Sequence, residues 1–180
     1  SRALSIYEPA LKYSLDHYGD MHSITASLYN NIGDVYYAQG NYSAALEYFF
    51  KSLEIRLKVL SEEHKEIATS YNNIGSVYEA QGNFSEALEY HLKSLEIRIK
   101  VLGDEHIDTA TSYYNIGNFY SAQGNYSEAL EYYFKSLEIC KKVLGEEHIN
   151  TASSYYNIGV VYYFQGLYSE AVECFSKAET

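Results

Sequence analysis

Four histidines, His22, His64, His106 and His148, stand 42 residues apart. Imidazole ligates zinc and moves protons near neutral pH, so metal binding and acid–base catalysis are the first chemistries to weigh. The spacing argues against both. Equivalent positions on stacked helices lie at least about 8 to 10 Å apart, whereas imidazoles sharing one zinc ion each need a nitrogen about 2.0 to 2.1 Å from it. Within one 42-residue stretch no cysteine or second histidine stands at ligand spacing, His91 falling on a different helix. The ladder reads as packing or capping, and no metal is expected. There is no phosphate-cradling glycine loop, and no Ser-His-Asp or Cys-His arrangement beyond what six histidines and many serines give by chance. No catalytic residue and no cofactor are expected, and the chain reads as a non-enzyme.

A second ladder has the same period. Asn31, Asn73, Asn115 and Asn157 each open an Asn-Ile-Gly triplet. A fixed period in the range of about 20 to 50 residues marks an array of stacked units, each burying its apolar face against the next. The expected division is an orphan helix and exit loop at 1–25, full repeats at 26–67, 68–109 and 110–151, and a truncated repeat at 152–180, all in one solenoid. The second and third repeats are about three-quarters identical. The chain begins at Ser1 without an initiator methionine and stops at Thr180 inside an expected helix, so it reads as an excerpt of a longer protein.

The elements that must position these residues follow from the third repeat. Tyr113, Ile116, Gly117 and Tyr120 recur at three- and four-residue spacing, which puts them on one face of a helix A. Gly124 suits a left-handed C-terminal cap. Asn125 suits the N-cap of the next helix, with Glu128 as the reciprocal carboxylate. Helix B places Ala129, Leu130, Tyr133, Leu137, Ile139 and Val143 on apolar positions, and Gly145 closes it. Upstream, Leu4, Tyr7, Leu11, Leu15 and Tyr18 form the orphan helix, with Pro9 either in its first turn or kinking it, and Gly19 to His22 end it.

Bulk composition bounds the partners. The 180 residues are 47% hydrophobic and 21% charged, a globular balance, with 22 tyrosines as the outlier. Tyrosine buries a large ring while keeping its hydroxyl wet, so most of these rings read as repeat core and the rest as binding surface. A net charge of −11 repels phosphate backbones and anionic lipid, so neither nucleic acid nor membrane is an expected partner. No apolar run reaches the roughly 18 residues of a membrane helix. Cys140 and Cys174, on different helices, read as reduced packing thiols, and cytoplasmic localisation is expected. Asn41-Tyr42-Ser43, Asn83-Phe84-Ser85 and Asn125-Tyr126-Ser127 are formal sequons where asparagine is wanted as a cap.

The run Tyr113-x2-Ile116-Gly117-x2-Tyr120 followed by Ala129-x3-Tyr133 resembles the tetratricopeptide repeat pattern. The other units match it as Tyr29, Ile32, Gly33, Tyr36, Ala45, Phe49; as Tyr71, Ile74, Gly75, Tyr78, Ala87, His91; and as Tyr155, Ile158, Gly159, Tyr162, Ala171, Phe175. The extra length over the usual repeat follows the alanine. The family's helix-ending proline is replaced by Leu57, Ile99 and Lys141, which lets helix B run on to Leu60, Leu102 or Leu144. The 42-residue form, with Gly103-Asp104-Glu105-His106 and Gly145-Glu146-Glu147-His148 exits, is similar to the kinesin-light-chain type, although Ser61 replaces the glycine of the first exit. The resemblance implies an all-α fold, a right-handed α-solenoid of antiparallel helix pairs whose A helices line a concave groove.

On that resemblance the asparagine ladder faces the groove. An amide there suits an extended peptide backbone, or bonds between neighbouring helices to fix their register; both roles stay open. Around the ladder a stripe varies while the framework does not: Asn30, Asn72, Tyr114 and Tyr156; Asp34, Ser76, Asn118 and Val160; Tyr37, Glu79, Ser121 and Tyr163. The peptide-binding candidates are Asn31, Asn73, Asn115, Asn157, Asn72, Tyr114, Ser76, Asn118, Tyr37, Glu79 and Ser121. The helix A stretches carry no Lys or Arg, so the basic residues with which chaperone-binding relatives grip a carboxylate, and kinesin light chains grip acidic peptides, are missing. The expected partner is a protein or peptide, neutral to basic, with an apolar or aromatic anchor. Glu47/Lys51, Glu89/Lys93 and Glu131/Lys135 read as solvated helix B pairs, and the paired carboxylates of the exits as solvated loop. The expected function is a protein–protein interaction module, scaffold or adaptor. The alternative is a structural self-assembly unit, a homo-oligomer stacked through Tyr168, Val172 and Phe175.

Overall fold

The computed structural model describes residues 2–179; the expectation that the chain stops inside a helix falls on residue 180, outside them. Nine helices run through the described residues: α1 Leu4–Tyr18, α2 Ser23–Ala38, α3 Tyr42–Val59, α4 Lys65–Ala80, α5 Phe84–Leu102, α6 Ile107–Ala122, α7 Tyr126–Leu144, α8 Ile149–Phe164 and α9 Tyr168–Ala178. None of them is long and apolar enough to cross a membrane. The chain forms two compact units, one up to Ile97 and one from Arg98. The A helices α2, α4, α6 and α8 start three residues ahead of the repeat frame read from the sequence.

Local signals set the helix ends. In the first unit His22 and His64 are N-caps, each Nδ1 accepting from the backbone N–H two residues on, of Ile24 and of Glu66, at 3.2 Å. In the second unit His106 and His148 do the same for Asp108 and Asn150 at 3.1 Å. The imidazole thus takes the place of the usual Ser or Asp oxygen in meeting an orphan helix N–H. At the other end Gly124 sits at φ 74°, a left-handed conformation that glycine adopts without steric cost, and the N–H of Asn125 reaches back to the Tyr120 carbonyl.

Two expectations about caps need correction. Asn125 makes no side-chain cap bond, so the Glu128 capping box does not form; the backbone bond to Tyr120 closes this turn instead. Its counterpart Asn41 does cap, accepting from the Ala44 N–H at 3.3 Å. Pro9 lies inside α1, five residues beyond the helix start, not in the first turn. Helix B does run past the missing proline, through Val59, Leu102 and Leu144. Val143, expected on an apolar position, is half exposed near the C-terminal end of α7.

Each hairpin closes by one contact. In the second unit a Cβ added to Gly117 would stand 2.6 Å from the Tyr133 ring, so α6 and α7 approach at a distance only glycine permits. In the first unit Gly33 meets Phe49 and Gly75 meets His91 in the same way. Apolar clusters form around these contacts, Ala45, Phe49, Leu53, Ile67, Ile74 and Val77 in the first unit and Ala129, Tyr133, Leu137, Tyr155, Ile158 and Val161 in the second. The Glu/Lys pairs expected to be solvated do more than that. Lys51 bonds Glu47 at 2.6 Å while its ammonium lies 5.3 and 5.8 Å from the ring centroids of Tyr48 and Tyr29; Lys93 and Lys135 repeat the arrangement. The lysine therefore lids a tyrosine pair by cation–π attraction.

His91 is the misfit. It is fully buried where the equivalent position holds Phe49, and neither ring nitrogen has a hydrogen-bond partner. Glu79 Oε2 is 3.7 Å from Nε2, beyond hydrogen-bond reach. A buried, unbonded polar group costs about 1–3 kcal/mol, so His91→Phe should raise the unfolding free energy by about that amount in urea titration. Gly117→Ala should lower it by about 1–3 kcal/mol through overpacking against Tyr133.

Candidate functional site

In the first unit, Asn73 Nδ2 donates to Asn30 Oδ1 at 3.2 Å and to Asp34 Oδ1 at 3.4 Å, joining α4 to α2. In the second, Asn157 Nδ2 donates to the Tyr114 hydroxyl at 2.8 Å and to Asn118 Oδ1 at 3.2 Å, joining α8 to α6. Of the two roles open for the ladder, these two amides fill the register role within each unit. The varied stripe therefore varies in pairs: Asn30 with Asp34 in one unit, Tyr114 with Asn118 in the other, each pair supplying acceptors to the next ladder asparagine. Asn118 Oδ1 accepts a further bond from the Tyr133 hydroxyl at 2.8 Å. Burial raises the Asp34 carboxyl above its ordinary pKa, against the pull of the Arg56 guanidinium.

The remaining candidates scatter. Asn31 lines a shallow hollow with Tyr7 and Asp34. Asn72, Ser76 and Ser121 are half-buried. Tyr37 packs against Tyr42 at 5.9 Å, and burial first, then the Glu79 charge, raises its hydroxyl pKa. Glu79 faces His91.

The second unit does gather a site. Tyr114 of α6, Ser153, Tyr156 and Asn157 of α8, and Phe175 and Ala178 of α9 line an open concavity of about 800 Å³, whose one charged lining residue among those described is Glu179. Tyr156 is 56% exposed there and lies 5.6 Å from the Phe175 ring. Phe175 itself packs on Gly159, so of the three residues expected on a self-assembly face only Tyr168 and Val172 are strongly exposed, at 62% and 64%.

Beside it, sharing Tyr114 and Ser153, a narrower cavity of about 260 Å³ is floored by Ser136 and Cys140 of α7. It is walled by Thr111, Tyr114 and Asn115 of α6 and by Asn150, Ser153 and Ser154 of α8. Burial pushes the Cys140 thiol above its ordinary pKa, which disfavours the nucleophilic thiolate.

Sequence reasoning missed two buried arginines. Arg56 of α3 donates through Nη1 to the Glu66 carbonyl at 3.0 Å, to Ser70 Oγ at 2.6 Å and to Asn30 Oδ1 at 3.4 Å, with the Glu66 carboxylate 3.5 Å from Nε. In the second unit Arg98 donates to the Asp108 carbonyl at 2.7 Å and to Ser112 Oγ at 2.9 Å. An arginine on the same stripe as Ala45, Phe49 and Leu53 was the available signal: a charge at a core position needs a designated set of acceptors.

Tetratricopeptide repeat family models match residues 66–133 and 108–180, and a second such model matches residues 25–66. The chain belongs to the tetratricopeptide repeat family. No curated protein sequence matches it. Among solved structures, BtubC (BKLC) from P. vanneervenii is similar at 23% identity and TM-score 0.88, over 99% of this chain and 71% of that one. A kinesin light chain-like protein of nearly identical TPR-like repeats from Podosopora anserina is similar at 24% identity and TM-score 0.81, over 99% and 84%. RapI in its apo form is similar at 24% identity and TM-score 0.84, over 98% and 61%. At these identities the likeness is one of fold, the all-α tetratricopeptide solenoid of antiparallel helix pairs. Tetratricopeptide repeats generally act as protein-interaction scaffolds, and the fold is typically non-enzymatic.

Arg98→Ala in this repeat protein should lower the unfolding free energy by about 3 kcal/mol, because it strands buried acceptors and leaves a void. Urea denaturation followed by far-ultraviolet circular dichroism measures it, and a loss below about 1 kcal/mol would show that the arginine is not a structural strut.

Proposed function

We propose that the chain binds a peptide segment of a partner protein, as scaffold or adaptor, in the concavity between α6, α8 and α9. The observation that carries this reading is its lining. Tyr114, Tyr156 and Phe175 present aromatic surface, Asn157 and Ser153 present polar edges, and the only charge among the described residues is the Glu179 carboxylate. Aromatic residues with one or two exposed polar groups are what peptide grooves use: the rings supply contact area at low entropic cost, and the polar edges fix register. A partner fitting here is neutral to basic and brings an apolar or aromatic anchor. An acidic peptide would meet Glu179 and a chain of net charge −11 with no lining cation to receive it.

Because Tyr156 is mostly exposed, Tyr156→Ala tests the reading with little folding cost. It should weaken capture from a random-peptide array at least about tenfold, in keeping with a central aromatic anchor, while the circular dichroism spectrum is unchanged. Unchanged capture would sink the groove. Among the captured peptides, basic ones should outnumber acidic ones, and Glu179→Lys should reverse that bias.

A second reading rests on α9, where exposed Tyr168 and Val172 offer an apolar face for self-association. Light scattering behind size exclusion decides it: a mass that stays monomeric as concentration rises removes this reading.

A further inference from the structure

The cavity over Cys140 is the vacated place of an arginine. Positions 56, 98 and 140 are equivalent in the 42-residue period, and they hold Arg, Arg and Cys. Each wall position has its counterpart in the first unit as well: Asn30 for Tyr114, Asn31 for Asn115, Ser52 for Ser136, Glu66 for Asn150 and Ser70 for Ser154. There, the Arg56 guanidinium rises from the floor to the Glu66 carbonyl and Ser70 Oγ. In the second unit Arg98 makes the same pair of bonds to the Asp108 carbonyl and Ser112 Oγ. Over Cys140 the matching acceptors, the Asn150 carbonyl and Ser154 Oγ, remain, and a thiol too short to reach the guanidinium position leaves the cavity of about 260 Å³.

Three of the cavity's hydroxyls are disposed as acceptors. Thr111 gives its proton to the Ile107 carbonyl at 3.1 Å, Ser153 to the Ile149 carbonyl at 2.8 Å and Ser154 to the Asn150 carbonyl at 3.0 Å. A hydroxyl has one hydrogen and two lone pairs, so each of these turns only lone pairs to the cavity. These lone pairs suit the guanidinium, which has five N–H donors and no acceptor. Ser136 and Ser154 are buried at the floor, while Thr111 and Asn150 are exposed at the mouth, so the opening lies between α6 and α8.

We infer that this cavity is a specificity slot for an arginine side chain of the bound peptide, which enters between α6 and α8 and sets its guanidinium where Arg56 and Arg98 set theirs. The inference rests on the peptide-binding reading of the adjoining concavity, with which the slot shares Tyr114 and Ser153. Asn150 stands where the other repeats have Glu66 and Asp108, so the slot recognises by hydrogen-bond geometry more than by a local carboxylate. That predicts discrimination of arginine from lysine, which has the same charge without the planar fork.

The test uses two random-hexapeptide pools, one with arginine fixed at the third position and one with lysine, passed over the immobilised chain at matched salt. The arginine pool should be retained about tenfold more strongly than the lysine pool. Cys140→Arg, which fills the slot from within, should bring the arginine pool down to the lysine level while both are still captured. Cys140→Leu should act likewise and serves if the arginine variant does not fold. Equal retention of the two pools by the unaltered chain, or an arginine preference that survives both fillings, overturns the slot. If the pools are retained equally and Tyr156→Ala abolishes that retention, the slot falls and the concavity stands; if neither pool is retained above an unrelated helical protein, both fall.

Discussion

The rest of the structure depends on a helix backbone pressed against an aromatic face. At Gly117 the ring of Tyr133 stands where any other residue would place its Cβ, and the same is true of Gly33 against Phe49 and Gly159 against Phe175. This contact fixes the separation of the two helices in a hairpin. It also tolerates exchange of the ring, Phe or Tyr, as long as the partner is glycine. His91 shows the limit, since a ring of the right shape is accepted there with both nitrogens unbonded.

Once the hairpins are spaced by glycine and ring, the layer between consecutive A helices is left to polar side chains. In the first unit it is filled: Arg56, Asn30, Asp34, Ser70 and Asn73 form one connected set of donors and acceptors. A buried network of this kind holds register well only when its members are satisfied. In the second unit Arg98 bonds the Asp108 carbonyl and Ser112 Oγ of α6. Between α6 and α8, over Cys140, the layer is open, and the open part adjoins the concavity lined by Tyr114, Tyr156 and Phe175. One scaffold geometry thus serves as internal strut in one repeat and as recessed surface in another, depending on one side chain.

Electrostatics follows the same division. The acidic excess is held on helix B and in the exit loops, where Lys51, Lys93 and Lys135 pair with glutamates while covering tyrosine rings. Beyond Lys65 at the start of α4 the A helices carry no cation among the described residues, and the two arginines that reach them from helix B are consumed by internal acceptors. The concavity of the second unit is therefore aromatic, amide and weakly acidic surface.

The sequence by itself determined the period, the helix pairs, the long helix B and the turn glycines, and it left the histidines as packing or capping. All of these depend on interactions within a few residues, or on a repetition visible in a single chain. The failed Asn125 cap marks the edge of that legibility, because a cap residue still chooses its rotamer. Only the tertiary structure decided that Asn73 and Asn157 spend their amides on neighbouring helices, that Lys51 lies on two rings, and that Arg56 and Arg98 are buried. It also decided that Tyr114 and Asn115 come together over Cys140. The physical reason is reach: the bonds of these asparagines and arginines span 10 to 43 residues of chain, and a side chain several bonds long finds its partner through the distance and rotation between helices. The sequence repeats the residues but does not state that geometry.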